Sequence, residues 1–561
     1  MKVTPRIFLL LYFEAGSIAY QKLNRMKILI TAAIIFSSFV GCSQNLPELK
    51  IDDDWIESIQ AMIPSSYDEN QVPKKVLLLS LTTGYKHWVI PHYNILIKEI
   101  GKKNSFTVNI TDEISCFDKD SLEKYDAIIL NNTCSKRAYR HLFFDAMEEK
   151  TDSLERWKLA KKLEQNLIDY VHDGGGLVVL HGGLTTFNHS ENFGEMIGGS
   201  FDYHPPQQSY NLSVIAPENK ITEPLPHNFK LFGEAYFMNG VFNEKHFQPL
   251  LDMPTSDLTD LKSEPSSSSH PVAWVKRYGF GRVFVSAPTH NAQNFTKEGF
   301  IPFITNGIKY AIRNLEVDDR VPTTYNPKWK KVKLLFEDEG KGKWQDRWFL
   351  DGTKAKLIND EDGMLFEAGP DWKNDTSHAV LWSKEYFEGD ILIEYDYTKT
   401  DNSSGGVTIL YFHATGKGGE EFPKDVFEWR DKRKVPTMST YFRNMNAYHI
   451  SYAGFRSNEE GKYDYVRLRS YEGLYRLGGT QILPDNVHTD LFKKDITYTI
   501  QVARIGKRII MRVVNALDPS EGDIYRWDAS SKAIHDEGRI GLRHMYTRSA
   551  RYKNFKVWSI E

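Results

Sequence analysis

Between residues 74 and 315, short runs of consecutive apolar residues alternate with stretches whose apolar positions recur every three or four residues. KKVLLLSLT (74–82), YDAIILNN (125–132) and the centre of GGGLVVLHGG (174–183) have the length and composition of buried strands. Residues 92–102, 154–172 and 302–314 carry helical spacing, and VAWVKRYGFGRVFVSAP (272–288) reads as a hairpin turned at Gly279 and Gly281. This alternation predicts an α/β domain built on a mostly parallel sheet with helices on both faces. The serine run at 265–269 interrupts a strand pattern that then resumes, so an exposed loop is expected there.

The pattern changes after residue 315. Residues 316–331 hold two prolines and few periodic apolar positions, as a linker does. From 332 to 561, short alternating runs such as GVTILYFHATG, AYHISYAGF and GRIGLRHM are punctuated by Gly, Asp and Asn, which predicts an all-β sandwich or jelly roll. Alternation assigns Leu410, Phe412 and Ala414 to a packed face, and Tyr411 and His413 to a solvent or groove side. In YHISY, Tyr448, Ile450 and Tyr452 share one face and His449 and Ser451 the other; whether the tyrosines line a groove or the core stays open.

The N-terminus reads as an address, not as fold. Residues 28–40 form a largely apolar stretch that would make a helix of roughly 20 Å, short of the ~30 Å hydrocarbon core of a bilayer. Gly41-Cys42 follows directly and resembles a bacterial lipobox, which implies lipidation of Cys42 and a place in the cell envelope. The expected division is address and anchor 1–45, polar tether 46–73, α/β domain 74–315, linker 316–331 and β domain 332–561.

Composition narrows the partners. Lys plus Arg number 71 against 74 for Asp plus Glu, and a formal charge of −3 argues against nucleic acid, whose phosphates need concentrated positive charge. Besides Cys42 there are only Cys116 and Cys134; these two can pair in an oxidising compartment but make no disulfide framework and no CxxC zinc motif. Aromatic residues reach 13%, in keeping with β-rich domains and with sugar binding alike.

Ligands of open α/β sheets sit beyond the carboxyl ends of the strands. Four polar segments fall there: Gly84-Tyr85-Lys86-His87, Asn131-Asn132, His181-Gly182-Gly183 and Thr289-His290-Asn291; Glu234 and Tyr236 lie between them in sequence. His87, His181 and His290 with the Glu234 carboxylate suit a divalent metal or acid/base work, and Tyr85, Asn132 and Tyr236 suit substrate contacts. GYKH, YDAIILNN, GGGLVVLHGG, EAY, PVAW and GRVFVSAPTHN together resemble the ThuA-like, or trehalose-utilisation, family over about residues 74–315. That resemblance implies a glutamine-amidotransferase-like fold, a polar pocket of His87, His181, Glu234 and His290, and a sugar ligand from keto-sugar metabolism. Amidotransferases carry a nucleophilic cysteine on the turn that here reads Leu180-His181-Gly182, which tells against thiolate chemistry.

In the β domain, Tyr411, His413, Trp429, Arg430, Tyr452 and Arg543 are candidates for a saccharide groove, in which rings stack on sugar faces and Arg forks onto a uronate. Tyr448 and His449 are candidates for proton abstraction in β-elimination. WFLDG, SHAVLW, FEGDILIEYDY, LYFHATGKGGE, AYHISYAGF and GLRHMYTRSARYKNFKVW are similar to the YesU-like family, which implies a concanavalin-like jelly roll associated with polysaccharide breakdown. The joint expectation is a lipid-anchored glycan-processing protein acting by hydrolysis or elimination. The alternative is a non-catalytic glycan-binding surface lipoprotein.

Overall fold

The computed structural model describes residues 46–66, 73–147, 152–322, 329–458 and 461–561, so the address segment with Cys42 and the middle of the linker lie outside the described residues. Among the described residues no helix is long and apolar enough to cross a membrane.

The first domain contributes β1 (Lys74–Leu79), β2 (Phe106–Thr111), β3 (Ala127–Asn131), β4 (Gly176–Leu180), β5 (Ser200–Tyr203), β6 (Gln208–Val214), β7 (Asn228–Gly233), β8 (Phe237–Asn239), β9 (Gln248–Pro254), β10 (Ser269–Tyr278) and β11 (Gly281–Ser286). Nine of them form one sheet in the order β2-β1-β3-β4-β11-β10-β9-β6-β7. The strands from β2 to β11 run parallel, and every pairing beyond β11 is antiparallel. The sheet is therefore half parallel rather than mostly parallel. The β10/β11 hairpin turns the chain back without a crossover helix, and the preceding segment has period-two burial, with Tyr210 and Leu212 inward.

Four longer helices are α1 (Asp53–Met62), α2 (Ile90–Lys103), α3 (Ser153–His172) and α4 (Phe300–Ala311). Right-handed crossovers place α2, between β1 and β2, and α3, between β3 and β4, on opposite faces, because the strand order reverses at β1 and β3. That reversal is the topological switch point at which such sheets bind ligands. The expected tether is not polar chain throughout. Asp52 accepts a hydrogen bond from the Trp55 amide (3.1 Å) and starts α1, whose Ile59 is buried and which packs on α2 and α4.

The second domain stacks two eight-stranded sheets, with a core of Tyr395, Tyr397, Leu410, Phe412, Tyr448, Ile450 and Tyr452 between them. Strand Thr408–Gly416 bulges between Phe412 and Thr415, and His413 takes φ +47°. The bulge exchanges the faces: Ala414 joins Tyr411 on the outer side, and His413 is buried with neither ring nitrogen partnered. Tyr411 and His413 thus leave the open groove side expected of them. A segment with short helices at Arg430–Arg433 and Met438–Asn444 covers the outer face, sealing Tyr411, Trp429, Tyr441 and Tyr471 beneath it. Asp351 fastens this cover, accepting from Trp382 Nε1 (2.8 Å), Arg433 Nε (2.6 Å) and the Tyr441 hydroxyl (2.9 Å). Cys116 and Cys134 are both free thiols, so the pairing open to them is not made.

The domains meet across β10 and the start of the linker. Arg277 pairs with Asp319 (2.6 Å) and donates to the carbonyls of Val487 and His488, while the Val321 amide donates to Asp523 (3.2 Å). Asp523 lines a cavity of about 30 Å³ with Arg277, Asp319 and Tyr525. Burial pushes the Asp523 carboxyl up to about 7, with Asp319 adding to the effect and Arg277 opposing it. The folded chain therefore keeps a proton that an unfolded aspartate has lost, and this group's share of stability falls as pH rises from about 4 towards 7. Asp523→Asn keeps the acceptor for Val321. It is expected to raise the thermal midpoint at pH 8 relative to the parent while changing it little at pH 4, as followed by scanning calorimetry; an equal shift at both pH values would contradict the assignment.

Candidate functional site

The carboxyl ends of β1, β4, β7 and β11 converge on one pocket. The loop after β1 supplies His87, the turn after β4 His181, the end of β7 Glu234 and the turn after β11 His290, and their ligand atoms all lie within 4.8 Å of one another. The chain leaves β4 so abruptly that His181 adopts φ +44°, a strained left-handed conformation. Two glycines permit the turn: a Cβ on Gly182 would stand 2.6 Å from Cys134 Sγ, and one on Gly183 2.7 Å from the Leu130 carbonyl oxygen.

His181 is oriented from behind. Its Nδ1 lies 2.6 Å from the Ala287 carbonyl oxygen, which only accepts, so Nδ1 carries the proton and Nε2 presents a lone pair to the pocket. That lone pair is 3.1 Å from Glu234 Oε2 and 3.0 Å from His290 Nδ1, which is itself 3.3 Å from the same carboxylate oxygen. His87 closes the group, its ring centroid 4.8 Å from His181 and 5.0 Å from His290. Burial pushes the Glu234 carboxyl up, but the imidazoles of His181 and His290 around it outweigh this and hold the group ionised. Burial brings His181 down to about 4, against the opposing pull of Glu234, and takes His87 well below the usual histidine range, so both rings are neutral near pH 7. Three imidazoles and one carboxylate are a donor set suited to a divalent transition metal. An inner nitrogen facing the centre while the outer N–H grips a carbonyl is the orientation that metal-ligating histidines use.

Tyr236 lies against His181 with ring centroids 4.1 Å apart, and Tyr85, 61% exposed, meets the edge of His87 at 4.7 Å, so these rings form an inner wall and a rim. Asn132 is buried at φ +54° with Oδ1 unpartnered, and its carbonyl carbon backs onto Gly182. Two residues join the site without having been singled out. His204 Nε2 is 3.6 Å from Glu234 Oε2, with a side chain 33% exposed at the mouth and its ring stacked on Tyr236. It follows β5, a four-residue strand too short to stand out, so the strand-end rule had no strand to apply to. Cys134 Sγ lies 3.7 Å from His87 Nδ1, and burial pushes its thiol up to about 11.

The second-domain candidates do not assemble into a groove. Tyr448 and Tyr452 are inter-sheet core, the Tyr452 hydroxyl meeting that of Tyr395 at 3.1 Å. His449 is buried between the Tyr471 hydroxyl and Ser451 Oγ, and burial holds its ring well below the usual histidine range. Trp429 and Arg543 lie under the covering segment, with Arg543 donating to the Pro436 carbonyl at 2.7 Å. Arg430 is exposed, but its guanidinium stacks on Phe427 and donates to that residue's carbonyl. Alternation pointed several of these side chains outward, and it carries no information on what covers that outer face.

Residues 75–311 match the family model described as trehalose utilisation, ThuA. They form a ThuA-like domain. Residues 334–557 match a domain of unknown function, DUF1961. Among solved structures, a putative ThuA-like protein from Bacteroides uniformis is 19% identical, with 44% of this chain and 94% of that one covered and a TM-score of 0.34. A Bacillus subtilis protein of unknown function with a galectin-like fold is 20% identical, with 42% and 99% covered and a TM-score of 0.31. The carbohydrate-binding module CBM66 from Bacillus subtilis is 12% identical, with 38% and 95% covered and a TM-score of 0.23. No curated protein matches the chain. In the ThuA-like domain, the turn that bears a cysteine nucleophile in amidotransferases bears His181, and the neighbouring Cys134 is a buried, protonated thiol. Cys134 is expected to resist aromatic disulfide reagents at pH 7 in the folded protein and to react on unfolding; fast modification in the native state would contradict this.

Proposed function

We propose that the protein is a carbohydrate-active lipoprotein of the bacterial cell envelope, in which the ThuA-like domain binds a sugar at a divalent-ion centre and the β sandwich engages saccharide. The observation that carries the metal centre is the lone pair of His181 Nε2, held 3.1 Å from a carboxylate oxygen in a buried pocket. With His290 Nδ1 3.0 Å from the one atom and 3.3 Å from the other, three donor atoms converge on one point that a shared cation would fill. His87, His181, Glu234 and His290 would hold that ion, which would supply Lewis-acid polarisation of a sugar carbonyl or hydroxyl oxygen.

The chain's own groups do the rest. Tyr85 offers ring surface to the C–H face of a sugar, the buried Tyr236 backs His181 and His204, and His204 stands at the entrance where a hydroxyl would pass. Cys134, as a protonated thiol, is not the nucleophile. For the second domain, the burial of Tyr448 and His449 favours binding without turnover, because neither ring can reach a saccharide C–H bond.

Plasma emission analysis of protein purified without chelator is expected to find about one divalent transition-metal ion per chain. His181→Ala and Glu234→Ala should lose at least about tenfold in affinity for it. An ion-free protein that takes up none when supplied, or variants that bind as the parent does, would remove the basis for the centre. For the anchor, Cys42→Ala is expected to move the protein from the membrane to the soluble fraction of lysed cells, and retention in the membrane fraction would refute lipidation at that residue.

A further inference from the structure

We propose that an open cleft at one end of the second domain, between the segments 371–375, 401–406 and 545–547, is the saccharide-binding site of that domain, and that it takes a neutral sugar with Trp372 as its stacking platform. The proposal rests on the reading that the β sandwich engages saccharide and gives that reading a site, now that the sheet face expected to serve is covered.

Trp372 is 46% exposed, whereas Trp348 and Trp382 are buried. Its indole is nonetheless held in place. A Cβ on Gly405 would stand 2.4 Å from Trp372 Cη2 and one on Gly406 3.5 Å from Cζ3, so the ring lies across a glycine pair whose second member is at φ +72°. Tyr546 meets the same ring at 5.0 Å and 60°. An aromatic ring fixed by its neighbours and left half in water is prepared to cover the C–H face of a pyranose or furanose at little entropic cost.

Beside the indole is a cleft of about 520 Å³, within the range of roughly 300–1,000 Å³ usual for small-ligand sites. Its rim is polar: Asn402, Ser404 and Thr547 line it, and their side chains make no hydrogen bond among the described residues. The loop presenting them is pinned by Asp401, which accepts from the amides of Ser403 (2.8 Å) and Ser549 (2.9 Å) and pairs with Lys399 (3.2 Å). Asp401 is therefore occupied as a strut, and the amide and hydroxyls around it are available to sugar hydroxyls. The charge of the cleft selects the ligand class. Asp371 and Asp375, about half exposed beside Trp372, are matched by Lys354, which pairs with Asp371, and by the exposed Lys373, while Arg543 and Arg548 are buried. The rim therefore carries no excess of positive charge to draw a uronate carboxylate, and its uncharged amide and hydroxyls suit a neutral sugar.

Affinity electrophoresis of the full chain in native gels tests this, with β-glucan, xylan, galactan and fructan as neutral probes and polygalacturonate as the acidic one. At least one neutral polysaccharide should retard the parent. Trp372→Ala should raise the apparent Kd by about tenfold or more, Trp372→Tyr should keep most of the retardation, and the surface double variant Asn402→Ala/Ser404→Ala should weaken it with an unchanged thermal midpoint. Equal retardation of the parent, Trp372→Ala and the double variant by a neutral polysaccharide would overturn the cleft while leaving a saccharide-binding sandwich intact. Retardation by polygalacturonate alone would overturn the neutral assignment. No retardation by any probe would overturn both the cleft and the reading it rests on.

Discussion

The pocket of the first domain depends on one hydrogen bond, from His181 Nδ1–H to the Ala287 carbonyl. It fixes the tautomer, and the tautomer decides whether the buried ring offers Glu234 a proton or a lone pair. Because it offers a lone pair, the carboxylate and the imidazole cannot satisfy each other. The electrostatics of His87, Glu234 and His290 are arranged around that mismatch. The bond in turn depends on the sharp exit from β4, which a Cβ at residue 182 or 183 would obstruct, and on the parallel pairing of β4 with β11, which brings Ala287 alongside. Sequence acts here through backbone: two glycines and a register set the chemical character of one nitrogen.

This also sets the domain apart from the amidotransferases whose fold the sequence resemblance implies. There the turn after the equivalent strand presents a nucleophile, and here the same strained position presents a ligand-type nitrogen. The nearest sulfur, Cys134, has been taken behind Gly182 and out of reach of water, where burial keeps it protonated. One backbone device can serve either chemistry, so the residue on the turn and its hydrogen-bond partner carry the distinction and the fold alone does not.

Much of this was legible in the sequence. Buried runs such as GLVVL and the periodic helix at 154–172 announced the α/β domain, and the rule that ligands gather beyond strand ends selected His87, His181 and His290, which the fold brings together. His204 escaped because its strand is four residues long. The second domain was read correctly as a sandwich, yet its groove was not, for two physical reasons. A bulge at His413 inverts the alternation on which face assignment rests, and bulges leave no reliable local signature. The cover held by Asp351, Arg433 and Tyr441 joins residues about eighty to ninety positions apart, a pairing that no local pattern reveals.

The same cover explains why saccharide contacts should move to the end of the sandwich. Burying Arg433 and Arg543 is tolerable only because Asp351 and backbone carbonyls receive their donors. Withdrawing the cover to admit a sugar would leave those charges in a cavity without partners, a cost that a few hydroxyl contacts would not offset. A face stabilised in this way is committed to packing. The exposed aromatic and free polar groups at residues 372, 402 and 404 carry no such commitment, since nothing must come undone for a ligand to reach them. The ThuA-like pocket obeys the opposite logic: donor atoms from four strand ends converge on one point, which is where a bound ion would gain most.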